Sequence, residues 1–259
     1  MNHSEQRIYL IKALLAENKD YKGIAIPREE EKQKVLLRSL MNVREPAPLS
    51  EEYLDVEKTY LRDETAAKGV TRLTDLVPVS KGLYLWQGDI TTLECDAIVN
   101  AANSALLGCF RPMHNCIDNC IHTYAGLQLR NACAKLMDEQ GFEEPPGRAK
   151  ITPAFNLPCR YVIHTVGPIV TGTLTGEHKE LLASCYTSCL KAATDNNLKS
   201  IAFCCISTGV FGFPQKPAAE IAVKTVKDYR AGTGNKIEVI FNVFKDEDYK
   251  IYRELLGER

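Results

Sequence analysis

Two cysteines and a histidine lie close together in one short stretch of this chain, and they could bind a metal ion. Cys109, His114 and Cys116 form a Cys-x4-His-x-Cys pattern, and Pro112 restricts the loop between them. Thiolate and imidazole ligands suit a tetrahedral Zn²⁺ ion, and three protein ligands leave a fourth position open, as in catalytic or substrate-binding zinc sites. The spacing therefore predicts a zinc site that can also bind another molecule.

Simpler interpretations of the same residues stay open. The cysteines could be small buried apolar side chains, and His114 could be a loop residue satisfied by its neighbours. The spacing is not a common zinc-finger or zinc-ribbon spacing, and Cys120 or His122 could replace one ligand. A purely structural zinc would need a fourth protein ligand, for which Cys120 is the nearest candidate.

Two asparagines follow an apolar run that precedes this loop. Residues 97–99 are Ala-Ile-Val, flanked by Asp96 and Asn100, which is typical of a central strand buried on both faces. Polar side chains directly after such a strand lie at its carboxyl end, where open α/β sheets bind ligands. Asn100 and Asn103 are therefore candidate ligand contacts, although either could instead cap a turn.

Residues 207–213 read Ser-Thr-Gly-Val-Phe-Gly-Phe and lie between a predicted strand and a predicted helix. Two glycines and small hydroxyl residues allow backbone N–H groups to converge on an anion such as a diphosphate. The segment is neither a Walker loop nor a dinucleotide GxGxxG motif, and it could be only a tight turn. Its phenylalanines could stack on a base or ribose, or they could close the core.

A carboxylate follows the strand predicted at residues 83–86. Asp89 could accept a hydrogen bond from an adenine amino group while the next N–H, that of Ile90, donates to a ring nitrogen. A lone Asp more commonly caps a turn or a short helix.

The composition is that of an ordinary globular protein. The 259 residues are 45% hydrophobic and 25% charged, with a net charge of -1, which argues against broad binding to nucleic acids or anionic membranes. The polar start shows no signal peptide, and no apolar run approaches the roughly 20 residues of a membrane span, so a cytoplasmic protein is expected. Ten cysteines in a large chain without targeting signals favour reduced thiols and metal binding over disulfides.

The apolar pattern changes near residue 78. Residues 1–78 contain three stretches with helical spacing, around 8–15, 36–40 and 53–61, and predict a helical extension packed on the main domain or docking a partner. Residues 79–259 alternate strands, predicted at 83–86, 97–101, 149–153, 161–165, 200–206 and 236–243, with helices at 117–139, 177–197, 217–230 and 247–256. This alternation predicts an α/β fold with a mostly parallel sheet and helices on both faces.

Four blocks of residues 79–259 resemble the macrodomain, the ADP-ribose-binding module, and they occur in its order. They are residues 89–90, 97–103, 118–122 with 125–126, and 207–213. The Cys109/His114/Cys116 loop and the helical extension resemble more closely the zinc-dependent macrodomains, a microbial subgroup of protein-ADP-ribosyl hydrolases. The resemblance implies a three-layer α/β/α fold with a mixed, mostly parallel sheet.

The resemblance also implies roles for individual residues. Asp89 and Ile90 would read the adenine, and Cys109, His114 and Cys116 would hold Zn²⁺. The distal ribose would face Asn103 and Asp118 and lie alongside backbone groups of Cys116, Ile117 and Asp118. The diphosphate would lie in the loop formed by Ser207, Thr208, Gly209, Val210, Phe211, Gly212 and Phe213.

A catalytic role for Asp118 and Asn103 follows from this placement. By position alone, Asp118 would be the N-cap of the helix after it. Beside a zinc with a free position, Asp118 could orient or deprotonate a water or a ribose hydroxyl. We expect zinc to act as a template for the ribose diol, because two thiolates make it a weaker activator of water than neutral imidazoles would.

The implied activity is removal of mono-ADP-ribose from modified side chains, acidic ones in this subgroup. By family association the substrate is a lipoyl-carrier protein modified by a sirtuin-like transferase. Two other interpretations remain: a module that binds ADP-ribose without cleaving it, and a hydrolase of free ADP-ribose derivatives.

Overall fold

A seven-stranded sheet lies at the centre of the computed structural model, which describes residues 1–257. The α-helices within this range are α1 (His3–Glu17), α2 (Glu30–Val43), α3 (Glu51–Lys68), α4 (Ile117–Ala125), α5 (Leu127–Gln140), α6 (Gly176–Asp195), α7 (Gln215–Thr233) and α8 (Asp246–Leu256). The strands are β1 (Thr71–Arg72), β2 (Pro78–Ser80), β3 (Leu83–Gln87), β4 (Leu93–Glu94), β5 (Ala97–Ala102), β6 (Ala149–Pro153), β7 (Tyr161–Val166), β8 (Ser200–Phe203) and β9 (Glu238–Val243). Short 3-10 turns lie at Lys19–Tyr21, Leu73–Asp75 and Ile90–Thr92.

The large sheet has the strand order β2-β3-β9-β8-β5-β7-β6, and β1 pairs with β4 outside it. The five inner strands run parallel, whereas the edge strands β2 and β6 are antiparallel to their neighbours. With right-handed crossovers, α6, α7 and α8 cover one face and α4 and α5 cover the other. This is the α/β/α arrangement, with a mixed and mostly parallel sheet, that the sequence predicts.

The inner strands are apolar on both faces because helices cover both faces. In β5, Ile98 is 0% exposed and lies in register between Val162 of β7 and Ala202 of β8. An apolar run of this kind predicts a central strand, and the polar residues that follow it are carried to the edge of the sheet.

Apart from shifts of one to three residues at element ends, two predicted elements differ from the structure. The strand predicted at 200–206 ends at Phe203, although Ile206 is fully buried. The prediction was too long because an apolar run indicates burial and does not by itself indicate strand pairing. The helix predicted at 117–139 is two helices. Gly126 separates α4 from α5 with φ 87° and ψ 175°, a conformation that is essentially restricted to glycine. The short strands β1, β2 and β4 carry no pattern long enough to predict.

Helices α1, α2 and α3 form a second hydrophobic cluster, which includes Leu10, Leu37 and Tyr60 and is joined by Leu127 of α5. Glu57 of α3 is 1% exposed and accepts the backbone N–H of Leu127, with N–O distances of 3.2 and 3.3 Å. Burial raises the pKa of Glu57 to about 7. The three helices are thus attached to α5 by apolar packing and a buried hydrogen bond, while a domain boundary at residue 78 stays a prediction.

The helices are not apolar throughout. Even α6, the longest at 20 residues, carries charged side chains near both of its ends. In the part of the chain that the structure describes, no helix has both the length and the apolar character needed to cross a membrane.

Replacing Gly126 by alanine is expected to lower the free energy of unfolding by on the order of 3 kcal/mol, from backbone strain and a steric clash. The new Cβ would lie 2.5 Å from Oε2 of Glu57 and 2.7 Å from Nδ2 of Asn156. Gly141→Ala is the control, because Gly141 also has a left-handed backbone but nothing lies within 4 Å of an added Cβ. This variant should lower the free energy of unfolding by only about 1 kcal/mol. Urea denaturation measures both, and equal losses would contradict this account of the α4–α5 junction.

Candidate functional site

The segments singled out from the sequence meet at one edge of the sheet. Because β3, β8 and β5 belong to the parallel part of the sheet, residues 88–90, 204–214 and 103–116 all leave it at the same end. The helices after β5 and β8 lie on opposite faces, which opens a crevice between these two strands. The crevice is the candidate site.

The loop after β5 brings the three predicted metal ligands together. The ligand atoms of Cys109, His114 and Cys116 all lie within 4.8 Å of one another, and Sγ of Cys109 is 3.5 Å from Nδ1 of His114. All three side chains are partly exposed, so the cluster can be reached from solvent. Burial, with a smaller contribution from the nearby Cys109 thiol, raises the pKa of Cys116 to about 12, although the hydrogen bond that its sulfur accepts lowers it. Without a cation, the cluster therefore favours protonated thiols. A bound cation would favour the deprotonated thiolates, which are the forms that bind metal.

The residues weighed as replacement ligands lie elsewhere. Sγ of Cys120 lies 3.7 Å from a guanidinium nitrogen of Arg38 and is outside the cluster of ligand atoms. His122 lies in the core, where its ring is grouped with Cys133 and His164. The cluster therefore has three protein donors within residues 1–257.

Asn119 ties the loop to the start of α4. Its side chain is 0% exposed, and its Nδ2 donates to the carbonyl oxygens of Cys109 at 3.1 Å and Arg111 at 3.0 Å. Its backbone N–H donates to Sγ of Cys116 at 3.4 Å, so Cys116 is the N-cap of α4. No sequence pattern indicates this role, because the partners of a buried amide depend on tertiary contacts.

Asp118 is not the N-cap that its position suggested, because α4 begins at Ile117 and Cys116 occupies the capping position. Asp118 is 5% exposed, and its Oδ1 accepts a hydrogen bond from Nδ2 of Asn100 at 2.8 Å. Nδ2 of Asn103 lies 3.4 Å from the other oxygen. Burial raises the pKa of Asp118 to about 6, while the Asn100 hydrogen bond lowers it. The structure thus brings both asparagines to this one carboxylate.

A chain of neutral polar groups lies behind Asp118. Nδ2 of Asn100 is 3.2 Å from Nδ1 of His164, and Nε2 of His164 is 3.0 Å from Oγ1 of Thr152. Burial lowers the pKa of His164 to about 4, so the ring is neutral and Nδ1 accepts from Asn100. Nε2 of His122 lies 3.6 Å from Asp118, but burial also holds the pKa of His122 well below its usual value. That contact is therefore not an ion pair.

The loop at residues 207–213 leaves backbone donors available. Within residues 1–257, the N–H groups of residues 209–211 donate to no protein acceptor, whereas the N–H of Phe213 donates to the carbonyl of Ser207 at 3.0 Å. Phe213 is 2% exposed and closes the core, so it does not stack on a ligand, while Val210 is 78% exposed. Three consecutive free N–H groups in the loop that leads into α7 suit an anion.

Asp89 both caps a turn and faces solvent. Its Oδ1 accepts from the N–H and the hydroxyl of Thr91, at 3.0 and 2.6 Å, and its Oδ2 accepts from Nζ of Lys68 at 3.0 Å. Burial raises the pKa of Asp89, but these hydrogen bonds and the Lys68 charge lower it overall. Ile90 is 1% exposed, so only its backbone can meet a ligand. Lys68 lies at the end of α3, with its Nζ over the ring of Tyr124. No sequence pattern predicts its contact with Asp89.

Comparison with known proteins agrees with this geometry. The family model described as Macro domain matches residues 99–222. A protein-ADP-ribose hydrolase of Treponema medium is 57% identical to this chain over 99% of the chain and 100% of the relative, and one of Staphylococcus aureus (strain MRSA252) is 50% identical over 95% and 93%.

A solved structure extends the similarity to the fold. The Trypanosoma brucei macrodomain in complex with ADP-ribose superposes with a TM-score of 0.65 at 31% identity, covering 85% of this chain and 95% of that one. The strand order, the crevice at the carboxyl edge of the sheet and these similarities together show that the chain belongs to the Macro domain family.

Proposed function

We propose that this chain is a zinc-dependent protein-ADP-ribose hydrolase, which binds ADP-ribose and removes mono-ADP-ribose from modified side chains. The observation that carries the proposal is the placement of the Cys109/His114/Cys116 cluster beside the carboxylate of Asp118 in one crevice. Binding alone would not need three metal donors beside a buried carboxylate. The relatives named protein-ADP-ribose hydrolase, at 57% and 50% identity, support the same activity.

The donor set of the cluster fits zinc. Two sulfurs and one imidazole nitrogen within 4.8 Å of one another are soft and borderline donors, which Zn²⁺ prefers over Mg²⁺ or Ca²⁺. When bound, zinc would supply a cation with an exchangeable position for the ribose hydroxyls of the ligand. Cys109, His114 and Cys116 would hold it, and Asn119 would keep the first and last of them in place.

In this proposal, each of the other groups of residues binds a different part of ADP-ribose. The free N–H groups of residues 209–211 bind the diphosphate, and the carboxylate of Asp89 with the backbone of Ile90 binds the adenine. Asn103 and Asp118 face the distal ribose, alongside the backbone of residues 116–118. Asp118 thus lies at the end of the ligand where the bond to the target protein is broken.

Hydrolysis breaks the bond between the distal ribose and the side chain, with water supplying a hydroxyl to one product and a proton to the other. The carboxylate of Asp118 orients the water or a ribose hydroxyl and accepts its proton. The hydrogen bond from Asn100 fixes the direction of this carboxylate at 2.8 Å. A buried carboxylate held by one strong donor is suited to this role because it needs little reorientation during the reaction, so the reorganisation free energy is small.

The substrate class also belongs to this proposal. We infer that the modified side chains are acidic, and that the target is a lipoyl-carrier protein modified by a sirtuin-like transferase. These points follow from the resemblance of the loop and the helical extension to the zinc-dependent subgroup.

Replacing Cys116 by serine should abolish metal binding and lower ADP-ribose release about 100-fold or more, while the affinity for ADP-ribose at the adenine end stays close to that of the wild type. Serine retains the N-cap of α4, so the loss would be that of a metal ligand and not of the helix end. Metal content by mass spectrometry, calorimetric ADP-ribose binding and product release by chromatography provide the readouts.

Cys120→Ser is the matched control, because its sulfur lies one helical turn away and outside the cluster. It should retain zinc and activity. Loss of zinc in this control would instead indicate a structural site with four protein ligands, and full release by metal-free Cys116→Ser protein would contradict the metal-dependent activity.

Asp118→Asn keeps the size of the side chain and removes its ability to accept a proton. We expect kcat to fall about 100-fold or more with little change in ADP-ribose affinity. Asp138→Asn, on the exposed surface of α5, should leave both unchanged. A wild-type kcat in Asp118→Asn would remove this carboxylate from the mechanism.

A further inference from the structure

Helix α2 of the N-terminal extension reaches the loop that carries the candidate metal ligands. A guanidinium nitrogen of Arg38 lies 2.8 Å from the carbonyl oxygen of His114 and 2.9 Å from Oδ1 of Asn119. One turn further along α2, Oδ1 of Asn42 accepts the backbone N–H of Met113 at 3.0 Å. Two side chains of α2 therefore hold three residues in or beside the loop, at sequence separations of 71 to 81 residues.

Arg38 determines which way the amide of Asn119 faces. An amide side chain has an acceptor end and a donor end, and the guanidinium of Arg38 can bind only the acceptor. With Oδ1 held by Arg38, Nδ2 is directed to the carbonyls of Cys109 and Arg111. Arg38 therefore acts on Cys109 through Asn119 and on His114 directly.

Asn42 holds the segment between the ligands in a conformation that it would otherwise seldom adopt. Met113 has φ 57°, the left-handed region that is unfavourable for a long side chain, and it immediately precedes His114. The hydrogen bond from its N–H to Asn42 compensates part of that strain. The other end of the Asn42 amide donates to Oγ1 of Thr123 at 3.0 Å, which fixes Asn42 against α4.

The Asn42–Thr123 contact is protected from water. Asn42 is 1% exposed and Thr123 is 4% exposed, so the hydrogen bond between them does not compete with solvent, whereas the hydrogen bonds of Arg38 are half-buried. Helix α2 is itself anchored by Leu37 and Leu40, which are buried in the second hydrophobic cluster. The position of the loop is thus coupled to the packing of the helical extension.

We propose that Arg38 and Asn42 are positioning residues for the metal site, and that α2 presets Cys109, His114 and Cys116 for the ion. This inference rests on the proposed function, since it takes those three residues as the ligands. It gives the helical extension a role inside the site, in addition to any role in docking a partner. Side chains that orient metal ligands contribute about 10- to 100-fold in metal affinity in other proteins.

The test measures metal binding and not activity. Zn²⁺ affinity is determined by competition with a chromophoric chelator, and Co²⁺ substitution reports the ligand geometry through its d–d and thiolate charge-transfer absorption. Arg38→Met and Asn42→Leu should each weaken Zn²⁺ binding by about tenfold or more and alter the Co²⁺ spectrum. Arg38→Lys, which keeps one charged donor, should recover part of the affinity.

Arg7→Met is the matched control for a general loss of stability. Arg7 is 2% exposed, and its hydrogen bonds to Gln33, Glu30 and Ser4 stay within α1 and α2. This variant should lower the melting temperature of the metal-free protein while leaving Zn²⁺ affinity and the Co²⁺ spectrum as in the wild type.

Wild-type affinity and an unchanged spectrum in Arg38→Met and Asn42→Leu would overturn the inference. So would an equal loss of affinity in Arg7→Met, since the effect would then be that of stability alone. If Arg38→Met does not fold, as judged by circular dichroism, Arg38→Lys and Asn42→Leu decide the question. Wild-type protein that binds neither Zn²⁺ nor Co²⁺ would instead contradict the proposed function itself.

Discussion

The buried amide of Asn119 is the contact on which the candidate site most depends. Its Nδ2 joins the carbonyl groups of Cys109 and Arg111 to the first turn of α4, and the backbone N–H of the same residue donates to the sulfur of Cys116. Without it, the segment that carries Cys109 would lose its direct hydrogen bonds to α4, the helix that Cys116 caps. The contacts from α2 at His114 and Met113 would then have to hold the loop. Because unpaired polar groups in the interior are costly, a 0% exposed amide with every partner in place also makes the arrangement rigid.

The same helix start places the carboxylate beside the cluster. Since Cys116 caps α4, Asp118 falls in the first turn, and its side chain turns back to the end of β5, where Asn100 and Asn103 meet it. The ends of β5 and β8 then bring the 207–213 loop to the same crevice. One sheet edge thereby gathers groups suited to an adenine, a diphosphate, a ribose and a metal ion.

Much of this arrangement could be predicted from the sequence, because it depends on local patterns. The apolar run at residues 97–99 indicates the central strand, and the Cys-x4-His-x-Cys spacing indicates the donor cluster. The contacts of Arg38, Lys68 and Asn119 could not be predicted, because each joins segments that are distant along the chain or depends on which end of an amide faces inward. The capping of α4 by Cys116 was also missed, since cysteine is not a usual N-cap residue.

In the proposed function, release of ADP-ribose requires the metal that Cys109, His114 and Cys116 would hold. The decisive experiment follows release from a mono-ADP-ribosylated acidic side chain before stripping with a strong chelator, after stripping, and after adding Zn²⁺ back. We predict that release is lost on stripping and restored by zinc, while ADP-ribose binding persists throughout. Equal release by stripped protein would contradict the claim, and binding without release under every condition would identify a module that recognises ADP-ribose without cleaving it.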